Sequence, residues 1–100
     1  MPAALMVTYP AEDGATFDRE YYAATHLPLV REKFGPHGLT DVAGFFPDAS
    51  DAPHLAVAIL TFRDAAARDA ALSSAEAAPV FGDIPNFSNV QPIPAPLSIA

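Results

Sequence analysis

Hydrophobic and polar side chains alternate with period two at the start of the chain. Leu5, Val7 and Tyr9 fall on one side and Met6 and Thr8 on the other, which predicts a strand over residues 3–9, ended by the turn residues Pro10 to Gly14. The period then lengthens. Asp18 can cap a helix through its carboxylate, with Phe17 before it as the outer half of a hydrophobic staple. Tyr22 and His26 lie four apart and share a helix face, with Thr25 beside them. Pro28 has no N–H to donate to Ala24, and its ring crowds the preceding turn. The helix is therefore expected to kink or restart near His26, with Thr25 or His26 capping the new turn. Leu27, Val30 and Phe34 continue a buried stripe until Gly35-Pro36-His37-Gly38 stops it.

Residues 39–46 read as a second strand, relaxed by Gly44, and residues 47–53 as a polar loop. His54–Phe62 is a third strand that is apolar on both faces: Leu55, Val57 and Ile59 point one way, Ala56, Ala58, Leu60 and Phe62 the other. A strand of this kind is covered on two sides, by helices and by something else. Asp64 is expected to cap an alanine-rich helix reaching about Ala77, in which Leu72 is the one large apolar residue. Residues 79–86 read as a loop carrying unusually large apolar residues, suited to a lid or an interface. A last strand is expected over residues 87–93, with Pro92 and Pro94 marking an edge or an end, followed by an extended tail. There is no internal repeat. The order βαββαβ is the ferredoxin-like pattern of the α+β class: a four-stranded antiparallel sheet with two helices on one face. The bare face wants a mate, and two such sheets packed face to face would close it.

Composition agrees. One hundred residues make one domain, 1–100, of which 51% are hydrophobic and only 17% charged, against about a quarter charged in typical domains. So little polar surface suggests a partner over some of the apolar area, most simply a second copy in a homodimer. A net charge of -7 with five scattered Lys and Arg argues against a nucleic-acid surface. Without cysteine there is neither disulfide framework nor thiolate chemistry, which fits the cytoplasm. The first residues lack the basic segment of a leader, and no run of eighteen apolar residues occurs, so no membrane role is expected.

The candidate chemistry is concentrated at residues 17–39. His26, at a helix break, can face a cavity and act as general acid or base, since an imidazole titrates near neutrality. The alternative is a histidine that caps the restarted helix or bonds a buried carbonyl. Tyr22 can bond a substrate oxygen or orient His26, and Tyr9 stands similarly at a strand end, though such tyrosines are more often core with the hydroxyl at the rim. Asp83 can orient His26 or polarise a ligand, but Asp beside Ile-Pro is commonly a turn former. Phe45, Phe46, Phe62, Phe81 and Phe87 read mostly as core and dimer contacts. One or two of them can line an apolar pocket; Phe46, Phe62 and above all Phe81 are the candidates. His26, His37 and His54 stand eleven and seventeen positions apart in unrelated elements, without His-x-His or His-Glu-x-x-His spacing, so no metal site is expected. No glycine-rich phosphate loop or Gly-x-Ser-x-Gly elbow occurs, and no cofactor is expected.

Gly14-x-x-Phe17-Asp18-x-x-Tyr21-Tyr22-x-x-Thr25-His26-x-Pro28-Leu29-Val30, followed by Gly38-Leu39, resembles the signature of the EthD family. The likeness continues in the strand end at Phe62 and in Asp83-Ile-Pro-Asn86-Phe87. The resemblance implies a dimeric α+β barrel with a ligand cleft in each subunit between helices and sheet. It carries the motif histidine onto His26, the motif aromatics onto Tyr21 and Tyr22 and the motif proline onto Pro28. Relatives on this fold include methylmuconolactone isomerases, polyketide cyclases, cofactor-free monooxygenases and fungal decarboxylases or dehydratases, and fold alone does not choose among them. Two functions are carried forward. One is a cofactor-free enzyme that moves a proton on a small apolar, aromatic or lactone-like metabolite. The other is a binding or accessory protein of a degradation pathway that holds a small hydrophobic molecule without chemistry of its own.

Overall fold

A computed structural model describes residues 1–100. Strands β1 (Ala3–Pro10), β2 (Leu39–Phe45), β3 (His54–Phe62) and β4 (Ile93–Ser98) form one antiparallel sheet in the order β2-β3-β1-β4, the ferredoxin-like arrangement. The register sets the two faces. Leu5 stands opposite Leu60 and Val7 opposite Ala58, while Val42 meets Leu60 from the other flank. These residues, with Tyr9, Ala56 and Phe62, are buried in a single core together with the helix residues Val30, Phe34, Ala71 and Val80. The helices therefore cover this face. The other face carries Met6, Ala43, Leu55, Val57 and Ile59, all only half-buried, beside Phe45 and Ile93, 53% and 56% exposed.

The helix after β1 begins where Asp18 Oδ1 accepts the Tyr21 N–H at 3.0 Å, and it breaks near His26. The break is a change of winding. Between α1 (Arg19–Tyr21) and α2 (Leu27–Phe34), residues Tyr22–His26 form a π-helical turn, in which the Leu27 N–H reaches back five residues to the Tyr22 carbonyl. The wider turn precedes Pro28, which has no N–H to contribute. Neither Thr25 nor His26 caps the restart through its side chain, because the backbone stays helical through the join and exposes no free turn to cap. Gly44 of β2 lies under this turn. A Cβ there would stand 3.0 Å from Leu27 Cδ1 and 3.2 Å from Tyr22 Cε2, so its hydrogen lets the π turn lie close on the sheet.

The second half departs from the sequence reading in three places. The helix capped by Asp64, α3 (Ala65–Leu72), stops before Ala77, where Ser73 and Ser74 turn back onto the Asp69 and Ala71 carbonyls. The segment expected as a loop over 79–86 is helical: α4 (Ala77–Gly82), then a 3₁₀ turn, Ile84–Asn86. Pro79 sits in the first turn of α4, where its missing donor has no partner to lose. The last strand starts later than 87, at Ile93, and the stretch read as a tail is β4 itself. Pro94 and Pro96 face Val7 and Leu5 in register. Two apart, they turn their donorless nitrogens to the same outer edge and leave Ile93, Ala95 and Leu97 to pair with β1. Residues 87–89 instead bind back to the chain before α1: the Asp18 N–H donates to the Phe87 carbonyl, the Ser88 hydroxyl to Thr16 O, and Asn89 joins Thr16 N to Gly14 O.

Candidate functional site

The π turn sets the site. It brings the His26 ring nearly parallel to the Tyr22 ring, 5.4 Å between centroids at 24°, and 4.6 Å from the Phe87 ring. His26 is 4% exposed. Its Nδ1 lies 2.9 Å from Asp83 Oδ2, across 57 residues of sequence. Asp83 follows α4 and is itself held: its Oδ1 accepts the Tyr21 hydroxyl at 2.7 Å and the Asn86 amide at 2.9 Å. The carboxylate is thus oriented from both sides and fixes the imidazole with Nδ1–H donating. Nε2 meets no protein partner.

Electrostatics follow from burial and from these bonds. Burial holds the His26 imidazole below its ordinary value, against the opposing hydrogen bond and charge of Asp83. Burial would raise Asp83, but the bonds from Asn86, Tyr21 and His26 outweigh it and keep the carboxyl below its ordinary value. At neutral pH the pair is a neutral base backed by a carboxylate. His26 faces a small chamber of about 30 Å³ between helices and sheet, walled by Leu5, Val7, Tyr9, Tyr22, Phe81 and Ile84 among others. All other residues around it are hydrophobic or tyrosine. Burial pushes the Tyr22 phenol up to about 12 and, with Tyr22 and Asp83 nearby, Tyr9 well above its ordinary range, so both hydroxyls stay protonated donors. The chamber is therefore lined by one imidazole and two tyrosines in an otherwise apolar shell, and neither His26 Nε2 nor either hydroxyl has a protein partner.

Of the residues singled out in the sequence, His26, Tyr9, Tyr22 and Phe81 line the chamber, and Asp83 stands behind His26. Phe46 does not reach it; its ring packs on Phe17 and Tyr22 under the Arg19 guanidinium. Phe62 is also outside, fully buried against Phe34. Three contributors escaped the sequence reading as site residues. Tyr21 and Asn86 clamp Asp83, and Phe87 backs His26 while sealing an aromatic cluster with Tyr9, Phe17 and Tyr22. The Asp83-x-x-Asn86 spacing, the i to i+3 reach of a 3₁₀ turn, was the available signal for one of them. No three His, Asp or Glu side chains gather as a metal cluster.

Solved structures share this fold. An EthD-like protein from Ralstonia eutropha JMP134 is 27% identical, with a TM-score of 0.82 over 99% of this chain and 92% of that one. SnoaB, a cofactor-independent oxygenase from Streptomyces nogalater, is 11% identical, with a TM-score of 0.69 over 98% of this chain and 92% of its own. A dimeric ferredoxin-like protein of unknown function from Jannaschia sp. CCS1 is 15% identical, with a TM-score of 0.69 over 99% of this chain and 100% of its own. No curated protein matches the chain significantly. The profile of the EthD domain matches residues 10–91, a span that runs from the end of β1 through the His26 turn to the strap after Asp83. With the motif and its geometry inside that span, the chain belongs to the EthD family.

Proposed function

We propose that the chain is a cofactor-free enzyme of small-molecule catabolism, a cytoplasmic homodimer that moves a proton on a small apolar, aromatic or lactone-like metabolite. The observation that carries this reading is the buried His26, oriented through Nδ1 by Asp83 at 2.9 Å, with Nε2 free of protein partners and the residue lining an apolar chamber. Nε2 takes a proton from an acidic C–H or O–H of the substrate, and the imidazolium so formed is stabilised by the Asp83 carboxylate. The electron pair left behind moves onto the adjacent oxygen, where a Tyr9 or Tyr22 hydroxyl donates a hydrogen bond. Return of the same proton to another carbon completes an isomerisation. In a cyclisation, attack of the enolate carbon on a second carbonyl of the same molecule forms a ring bond as that C=O π bond breaks, and the new alkoxide takes the proton. Expulsion of a leaving group, which departs with the proton, completes an elimination. The likeness to a cofactor-independent oxygenase and to a dimeric ferredoxin-like protein supports small-molecule chemistry and the dimer. The apolar bare face of the sheet supports the dimer further.

Exchange of α-protons of 2-tetralone in D₂O, followed by proton NMR, tests the base. Wild type is expected to accelerate exchange over buffer, and His26→Ala to lower the rate by roughly hundredfold or more. Equal rates in the two proteins would remove His26 from the chemistry. A second reading, a binding or accessory protein without chemistry of its own, draws on the lining of the chamber, where every residue but His26 is hydrophobic or tyrosine. It is favoured if 2-tetralone binds both proteins and neither exchanges it.

A further inference from the structure

The chamber beside His26 is too small for any organic molecule, yet it shares a wall with a far larger space. A groove of about 460 Å³ runs between α4 with its 3₁₀ turn and the segment leading into β4, and Phe81 and Ile84 line both it and the chamber. That volume lies within the roughly 300–1,000 Å³ typical of small-molecule sites. We propose that groove and chamber are two halves of one ligand site, with the Phe81 ring as the door between them, and that the ligand is an uncharged phenol or enol with more than one ring.

Phe81 is the wall best able to move. It is 37% exposed, whereas Ile84 is 8% exposed and belongs to the core. It stands apart from the ring-to-ring contacts that lock Tyr9, Phe17, Tyr22 and Phe87 together. It sits near the end of a helix of six residues, before Gly82, whose surroundings are open. A rotation of its side chain joins the two spaces without disturbing the sheet or the His26–Asp83 pair.

The ligand class follows from what each half offers. In the chamber, Nε2 accepts and the two tyrosine hydroxyls donate or accept, so a neutral hydroxyl satisfies them by donating to His26 and accepting from a phenol. An anionic head would stand close to Asp83 in a dry setting on a chain of net charge -7, and a cationic head would lose its hydration with no carboxylate facing it. In the groove, Ile84, Pro85, Val90 and Pro94 offer apolar walls to a flat body, and the exposed Gln91, whose amide has no protein partner, stands at the rim. The groove opens on the helix side of the sheet, since Pro94 lies opposite Val7, a chamber residue. A second copy packed on the bare face leaves it open.

The inference rests on the proposed role of the chamber, so its test reads binding and not turnover. 2-Naphthol is titrated into ¹⁵N-labelled protein, and the His26 ring nitrogens and the Val90 and Gln91 amides are followed. Both sets are expected to shift with one dissociation constant. Gln91→Trp, which fills the groove from an exposed position, is expected to weaken binding about tenfold or more, and Phe81→Ala to speed association by about tenfold. If His26 responds but neither substitution changes binding, the groove and door are overturned while the chamber reading stands. If the groove amides respond and His26 does not, in wild type and in Phe81→Ala, the join between the halves is overturned. Absence of any response to millimolar 2-naphthol overturns the ligand class.

Discussion

Asp83 is held by three donors, and each has a consequence for His26. The Tyr21 and Asn86 bonds keep the carboxylate ionised and aimed; the His26 bond fixes which ring nitrogen carries the proton. Asp83→Asn removes the charge that favours the imidazolium, so the His26 pKa, already lowered by burial, falls further. The acid limb of the kcat/KM profile for proton exchange is then expected to move to lower pH, while kcat drops by roughly hundredfold through lost orientation. An unmoved limb would mean that Asp83 is a turn former and no more. Part of this was legible in the chain. The Tyr22–His26 spacing and Pro28 marked the histidine as sitting at a break, because both rules act within one turn of helix. Its contact with Asp83 follows from where α4 lands on the sheet, and no local rule reports that.

At the scale of elements, the π turn and β2 are matched surfaces. Gly44→Ala would press a methyl group against Tyr22 and Leu27 at 3.0 to 3.2 Å, displacing the turn that carries His26. A loss of about 1–3 kcal/mol in stability is expected from such overpacking, read by urea unfolding, together with a shifted His26 ring signal. A fully tolerated methyl would show that the turn does not depend on this approach. Strand β1 was readable from its alternation, and β3 from the unbroken apolar run Leu55 to Leu60 between Pro53 and Arg63. The error over 79–98 has a physical cause. Helix α4 has six residues, too few for a period to be visible, and Phe87, read as the start of a strand, serves the aromatic cluster and not a ladder. The prolines of β4 look like strand breakers until the strand is known to lie at an edge.

For the whole molecule, the bare sheet face and the buried site make separate demands. Ile59 stands half-buried in the middle of that face, opposite Met6. Ile59→Glu is expected to turn a dimer into a folded monomer in sedimentation experiments, since a charge at the centre of about 800 Å² per partner is left without water; a wild-type monomer would overturn the dimer itself. The site makes the fold acid-sensitive. A histidine with a native pKa below its unfolded value of about 6.5 binds fewer protons folded than unfolded, so stability present above that pH is lost as pH falls toward the native value. Asp83, depressed from 3.8, adds a second loss at lower pH, below its unfolded value. The melting temperature is expected to fall between pH 7 and 5, and His26→Gln to flatten that window. The proposed face-to-face mate is the same expectation that composition and a strand apolar on both sides carry. The prolines at the margin of β4 settle which way assembly can go. A strand arriving from another molecule finds no row of N–H groups to read there, so polymerisation by strand addition is closed along that flank. A chain this apolar can thus offer its sheet broadside to one partner without seeding a fibre from that edge.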